Sequence, residues 1–497
     1  MLPPPVAFDP GCSFAPEIRA VVAAGAVWVG VGVELGQAAG QVEGTFDVVD
    51  LAATVAAGAS RGPSPSRRPR TLQTQHRISN SKYSEEMLDR TLGSTLRRAM
   101  ATFPAVVVTG ARQSGKTTLL RQLLSTTHTY RSLDDPDVRA RAHANPKGFL
   151  DESERPAILD EIQSAPSLFS WLKSRIDEDR RPGRWVLSGS QAFPLMQAVA
   201  ESLAGRAAIL SLLPLSVAES VGEACAHLTA DELLASQFAP VTAADAPTAT
   251  RPALGEWLLR GGYPEIRANP AVDRRLWVGS YVQTWLERDV RALTQVADLA
   301  TFERFLRLCA ARTGQLLNLS QLGRDAGVSQ PTAARWLSVL EASGVVLLLQ
   351  PFHGNLGKRL VKTPKLYFVD TALATWLVGL HDEEPTLRGP LGGALVETAV
   401  VVEWTKVFRH RGEPAPISFW RTADGHEVDL VVERNGRLYA AEVKATATVL
   451  PPMAGALRRF REVAGTDAVG VLYADVPRPV ALAPGVVTRP WWSIGRA

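Results

Sequence analysis

Ala105-Val-Val-Val-Thr-Gly-Ala-Arg-Gln-Ser-Gly-Lys-Thr-Thr-Leu-Leu120 is the stretch from which the rest of the chain is read. Ala105–Thr109 is a short β-branched run of the kind that forms a buried strand, and Lys116 to Leu124 carries a helical pattern. Between them, Gly110-Ala111-Arg112-Gln113-Ser114-Gly115-Lys116-Thr117 fits Gly-x₄-Gly-Lys-Ser/Thr. In that loop, backbone N–H groups and a helix N-terminus cradle phosphate oxygens. Lys116 is placed to reach the β- and γ-phosphates and Thr117 to complete a Mg²⁺ shell, with Thr118 extending the binding set into the helix. The expected ligands are ATP and Mg²⁺.

Working outward, short apolar runs alternate with helical patterns, which predicts an α/β layer structure with a parallel sheet. A second strand, Ala157-Ile-Leu-Asp160, ends in two carboxylates. Asp160 is expected to hold the Mg²⁺ through water, and Glu161 to orient or deprotonate the attacking water. A third strand, Trp185-Val-Leu-Ser188, runs into Gly189-Ser190-Gln191 and brings Ser190 beside the γ-phosphate. Arg206, in Ser202-Leu-Ala-Gly-Arg206, has two readings: a cation stabilising the transferring phosphoryl group, or a surface ion pair.

These motifs resemble those of prokaryotic AAA-type ATP-binding proteins whose C-terminal half is a domain of unknown function. The matching segments are Val106 to Gln122, Leu159-Asp-Glu-Ile-Gln163, Ser202 to Arg206, Gly261-Gly-Tyr-Pro-Glu265, Trp285-Leu-Glu-Arg-Asp289 and Glu427 to Lys444. The resemblance spans about Met87 to Tyr473, leaving out an Ala/Thr/Pro-rich stretch at about Cys225 to Thr250 that reads as a variable loop. It implies an ATPase domain, a helical or winged segment and a nuclease-like terminal domain. The expected divisions are residues 1–86, 87–222, 223–350 and 351–497. The first, rich in Ala, Gly and Val and closing on Arg61-Gly-Pro-Ser-Pro-Ser-Arg-Arg-Pro-Arg70, has no patterned apolar face and reads as a disordered extension. Met87 is a second candidate start.

In the middle segment, Leu319 to Glu341 reads as helix, glycine-containing turn, helix. Ser329 is the N-cap, Pro331 sits in the first turn, and Ala334, Leu337 and Leu340 form the buried stripe. With the strand Gly344 to Leu349, this is a winged-helix pattern. Such modules place their second helix in a DNA major groove or serve as protein–protein modules. Arg335 is the helix's one cation, and Lys358, Arg359, Lys362 and Lys365 fall in the wing.

In the terminal segment, Leu438 to Lys444 is a strand in which Glu442 and Lys444 share a face. The Asn435-Gly436 turn joins it to the strand bearing Asp429, so that Asp429 and Glu442 converge on a divalent ion with Lys444 beside the attacking water. The Asp, Glu-x-Lys set resembles the PD-(D/E)xK nuclease fold, with Glu397 supplied by an upstream helix. A surface hairpin with Glu and Lys two apart is the bland alternative.

Bulk composition narrows the field without deciding it. With 46% hydrophobic and 21% charged residues this is a globular chain, and its net charge of +4 leaves nucleic-acid contact to a local basic patch. Cys12, Cys225 and Cys309 have no metal-type spacing, which suits a reducing compartment and a cytoplasmic protein. The longest apolar run, Ala20 to Val33, is too short for a membrane span of about 20 residues. The sequence thus predicts an enzyme that hydrolyses ATP to drive conformational change and acts on nucleic acid. The competing reading is a non-cleaving switch that binds DNA or a protein partner.

Overall fold

The computed structural model describes residues 88–497 except 153, 191–194, 196–197, 200, 242–249, 287–289, 291–298, 353–360, 466–468 and 497, together with two earlier strands. Those strands, β1 (Arg19–Ala23) and β2 (Ala26–Gly30), pair antiparallel as a hairpin within a unit spanning Met1–Ser81. The remainder of the extension lies outside the described residues, and the hairpin is structure that the composition alone did not foretell.

Residues Lys82–Ala497 form the second compact unit. Its first layer is a five-stranded parallel sheet built from β3 (Ala105–Thr109), β4 (Thr129–Ser132), β5 (Ala157–Asp160), β6 (Trp185–Gly189) and β7 (Ala207–Ser211), in the order β4-β5-β6-β3-β7. Side chains alternate across it. Val107, Leu159 and Leu187 enter one core, and Val106, Val108, Ile158 and Val186 enter the other, so β3, β5 and β6 are buried on both faces. This order inserts β6 between the strand that feeds the Gly110–Thr117 loop and the strand that ends in Asp160.

The stretch expected as a loop from Cys225 holds a helix, Ala230–Gln237. Its start was legible: Thr229 and Glu232 form a reciprocal capping box. Helices Leu254–Arg260, Pro264–Ala268, Arg274–Trp285 and Leu299–Ala310 follow. Next come β8 (Gln315–Leu316), helices Leu319–Ala326 and Gln330–Ala342, β9 (Val346–Leu349) and β10 (Lys365–Phe368), which pair in the order β8-β10-β9. Ser329 caps the second of these helices by accepting from Thr332 N. Its buried stripe is Ala333, Trp336, Leu337 and Leu340, because Trp336 takes the inward position and turns Ala334 half outward.

The terminal sheet comprises β11 (Ile417–Arg421), β12 (Glu427–Arg434), β13 (Arg437–Val443), β14 (Gly470–Ala474), β15 (Val480–Ala483) and β16 (Val486–Pro490). It is mixed: β11-β12-β13 are antiparallel, and β13-β14-β16 are parallel, closed by an antiparallel β15. The 18-residue helix Gly392–Arg409 packs beneath it. One hydrophobic core runs from Trp257 and Phe302 through Trp336 and Phe368 to Trp404 and Trp491. The boundary expected at 350/351 therefore cuts both this core and the three-stranded sheet, whose last strand begins at Lys365.

Candidate functional site

The loop after β3 owes its shape to residues with positive φ. Gly110 stands at φ 151°, where a Cβ would fall 2.1 Å from the Leu212 carbonyl oxygen, so a side chain has no room. Gly115, at φ 94°, opens the helix Lys116–Leu124. Gln113 adopts φ 60°, a left-handed conformation that a non-glycine residue takes at a cost and that recurs in anion-binding loops. Lys116 Nζ lies across the loop, donating to the carbonyls of Gly110 and Ala111, both at 2.9 Å. Ser114 Oγ is fully buried and has no protein partner among the described residues.

Asp160 gathers this loop to the sheet. Thr117 and Tyr130 hydroxyls both donate to its Oδ2 at 2.7 Å, and Ser188 Oγ donates to Oδ1. Burial and the neighbouring Asp160 push the Tyr130 phenol upward, so it remains a donor. Glu161 sits at φ 54°, and its Oε2 accepts from Ser190 Oγ at 3.1 Å and from Gln163 Nε2. The predicted residues Gly110 to Thr118, Asp160, Glu161 and Ser190 thus come together at the C-terminal end of the parallel strands. There Arg112, Gln113, Gly115, Lys116, Thr117, Thr118 and Glu161 line one wall of a cleft of about 740 Å³. The helix Arg274–Trp285 supplies the other wall, with Trp277 and Tyr281 stacked 5.4 Å apart and 9° from parallel.

Arg206 is not at this site. Its carbonyl accepts from Ala105 N at the opposite end of β3, and its guanidinium pairs with Asp177 at 2.7 Å on the surface. The ion-pair reading holds, because a residue entering β7 in parallel with β3 must lie at the end remote from the loop. Residues 287–289 of the Trp285-Leu-Glu-Arg-Asp289 motif fall outside the described residues, as do Lys358 and Arg359.

Sequence reasoning missed a buried polar relay behind the loop. Arg90 donates to Ser114 O at 2.8 Å and Leu213 O at 2.6 Å, and its Nε stands 3.3 Å from Glu219 Oε2. Glu219 is fully buried. Burial opposes its charge, but Arg90 and His410 outweigh that and hold its pKa well below the usual range. His410 follows the long helix; burial lowers its pKa, and Nε2 accepts from Leu213 N at 3.2 Å, which leaves the proton on Nδ1, 3.3 Å from Glu219 Oε1. One helical turn earlier, Lys406 donates to Glu403 Oε1 at 2.8 Å and to Leu215 O at 2.9 Å, while Glu403 Oε2 accepts from Val217 N. The Gly261-Gly-Tyr-Pro motif locks against the same loop. Gly262 N donates to Asp370 at 2.7 Å, and a Cβ on Gly262 would meet Leu215 O at 2.3 Å.

A second cluster lies in the terminal sheet. The register Leu430↔Ala441 sets Asp429 beside Glu442 on the next strand, and Asp429 Oδ2 accepts from Val443 N at 2.9 Å. Lys444 Nζ donates to Glu442 Oε1 at 2.6 Å. Glu397, Glu427 and Asp429 each offer an oxygen within 4.8 Å of the others. Glu442 is not in that group of three, and Glu427 joins it in place of the predicted Glu442. The signal was available, since Glu427 and Asp429 are two apart on one strand and share a face. Lys365, expected in the wing, is buried among these carboxylates.

Three family models match the chain: an AAA domain over residues 102–221, a domain of unknown function (DUF8612) over 251–384, and another (DUF4143) over 392–488. An uncharacterized protein of Mycobacterium tuberculosis, and another of Mycobacterium bovis, are each 33% identical over 359 residues, covering 72% of this chain and 74% of theirs. The chain belongs to their family. This family member is an AAA-type P-loop protein by its matched domain and parallel sheet, and nucleotide binding comes with that domain. Among solved structures, the Walker-type ATPase PABY2304 of Pyrococcus abyssi is 15% identical, covering 59% of this chain and 97% of its own at a TM-score of 0.39. Thermotoga maritima RuvB is 19% identical, covering 52% and 86% at 0.25. Among the described residues no helix is long and apolar enough to cross a membrane.

Proposed function

We propose that this AAA-family protein binds ATP with Mg²⁺ in the cleft beside Gly110–Thr118 and hydrolyses it. The observation that carries the reading is the meeting of Thr117, Asp160 and Glu161 at a cleft edge, next to a buried Ser114 hydroxyl that lacks a protein acceptor among the described residues. The donor set suits the ligand: Ser114 Oγ and the loop N–H groups offer hydrogen bonds to phosphate oxygens, and hydroxyl plus carboxylate is a hard oxygen pair. When bound, Mg²⁺ neutralises phosphate charge. Lys116 exchanges its carbonyl acceptors for phosphate oxygens, and Thr117 and Asp160 hold the ion. Glu161, fixed by Ser190 and Gln163, orients water and accepts its proton. The base lies against Trp277 and Tyr281, whose rings wall the cleft.

We read the order helix, β8, helix, helix, β9, β10 as a winged helix, and the terminal sheet with Glu397, Asp429, Glu442 and Lys444 as a nuclease-like domain. We read both as the parts through which the ATPase acts on nucleic acid. One observation favours the non-cleaving alternative, a switch with a DNA or protein partner: a lysine fills the carboxylate cluster. Phosphate release from ATP, measured beside metal-dependent cleavage of duplex DNA, single-stranded DNA and RNA, separates the two. Turnover without cleavage under any metal leaves the switch, cleavage establishes the nuclease, and no turnover removes the ATPase.

A further inference from the structure

The carboxylate cluster of the terminal sheet already holds a cation, and it comes from a different sheet. Lys365 opens β10, and its side chain is only 3% exposed. Its Nζ donates to Glu397 Oε1 at 2.7 Å, contacts Glu427 Oε1, and lies 3.7 Å from Asp429 Oδ1. These are the three residues whose oxygens gather within 4.8 Å. An ammonium has three N–H groups and no acceptor, so three carboxylates are the number it can face. The surroundings are finished around it: Tyr367 donates to the same Glu397 Oε1 at 2.5 Å, and Arg421 donates to Glu427 Oε2 at 2.5 Å.

A divalent ion bound by these oxygens needs them at about 2.0–2.6 Å. Its centre would fall in the space the ammonium nitrogen occupies, with two like charges in contact in a buried site, where repulsion is screened least. Glu442, 7% exposed on the neighbouring strand, keeps Oε2 without a protein partner among the described residues, an acceptor in reserve beside the cluster. We propose that Lys365 is the resident cation of the Glu397–Glu427–Asp429 cluster, closing it to divalent metal while β10 is docked, so that metal binds there only when Lys365 is removed or withdrawn.

The inference refines the nuclease-like reading of the same cluster. Because it is tested by metal binding alone, absent cleavage does not touch it and its failure leaves the ATPase intact. The probe is Mn²⁺, titrated into the full chain without nucleotide and followed by electron paramagnetic resonance, with melting temperature as a second readout. Asp429→Asn, which removes a cluster ligand, should leave wild-type Mn²⁺ binding unchanged. Lys365→Met should gain one site at least about tenfold tighter than any in the wild type, and Mn²⁺ should raise its melting temperature. Adding Asp429→Asn should abolish that site, and Lys365→Arg, which keeps a cation, should not create it. A wild-type site lost in Asp429→Asn overturns the proposal even where Lys365→Met fails to fold. So does a folded Lys365→Met protein that gains no site.

Discussion

At the Gly110–Thr117 loop, Lys116 donates to two main-chain carbonyls on the wall of an open cleft; in the terminal sheet, Lys365 is sunk among three carboxylates. Both ammonium groups are buried, yet their partners differ in kind. An ammonium bonded to neutral carbonyls exchanges them readily for anionic phosphate oxygens, whereas an ammonium already facing buried carboxylates has its opposite charges in contact, where screening is least, and resists exchange. The first arrangement is poised to accept a ligand, and the second has its countercharge built in. The same residue type at similar burial therefore marks a binding site in one place and a clasp in the other.

The strongest blow to the first region is Glu161→Gln. Turnover should fall about 10²- to 10⁴-fold, the range supplied by a positioned general base, with ATP affinity retained; normal turnover would place the base elsewhere. Arg90→Met should come next, because it strands the fully buried Glu219. Chemical denaturation should show a loss of about 3–5 kcal/mol, and a loss within experimental error would mean that the relay is not a unit. Lys116→Ala should weaken ATP by about 2–3 kcal/mol, as expected for a hydrogen bond to a charged group, in a direct binding titration. Unaltered affinity would undo the contrast between the two lysines.

The pH dependence sharpens the comparison, because the two regions titrate with opposite signs. Burial, then Asp429, raise Glu442 to about 7, from an ordinary 4.5. Between about pH 5 and 7 the folded protein holds a proton that the unfolded chain has released, so this group makes stability fall as pH rises. Glu219 is depressed, so its contribution is complete above 4.5 and is lost only as pH drops toward its folded pKa. Melting temperature should decline from about pH 5 to 7, and Glu442→Gln should flatten the decline; an unchanged slope would refute the assignment. The smallest effect is expected from deleting residues 1–86, since Met1–Ser81 forms its own compact unit. ATP turnover and melting temperature should hold, and a lowered melting point would show that the extension supports the core.

The proposed nucleotide site was legible as a cluster because its pieces are local. A β-branched strand, a glycine loop and a helix are contiguous, and the apolar run before Asp160 announces a strand end. The relay was not readable, since Arg90, Glu219 and His410 are far apart in sequence, and the one local signal, the Ser216/Glu219 capping box, marks a helix start and not a buried ion pair. Lys365 misled for a related reason. Basic residues near a winged pattern suggest a solvent-facing wing, and only the pairing of β10 shows it turned inward. Arg206 followed a motif whose strand direction fixes its place, and the direction was visible only in the assembled sheet.

The helix Gly392–Arg409 is 18 residues long, about 27 Å. Glu397, near its start, belongs to the carboxylate cluster, while Glu403, Lys406 and the adjoining His410 grip the segments that flank the Ser114 loop. A single stiff rod thus runs from the carboxylate cluster to the segment that backs the Ser114 loop. Thermodynamic linkage then makes any traffic along it symmetric: the factor by which bound nucleotide changes the cluster's hold on a cation must equal the factor by which that cation changes the hold on nucleotide. Neither end can be the sole master of the other.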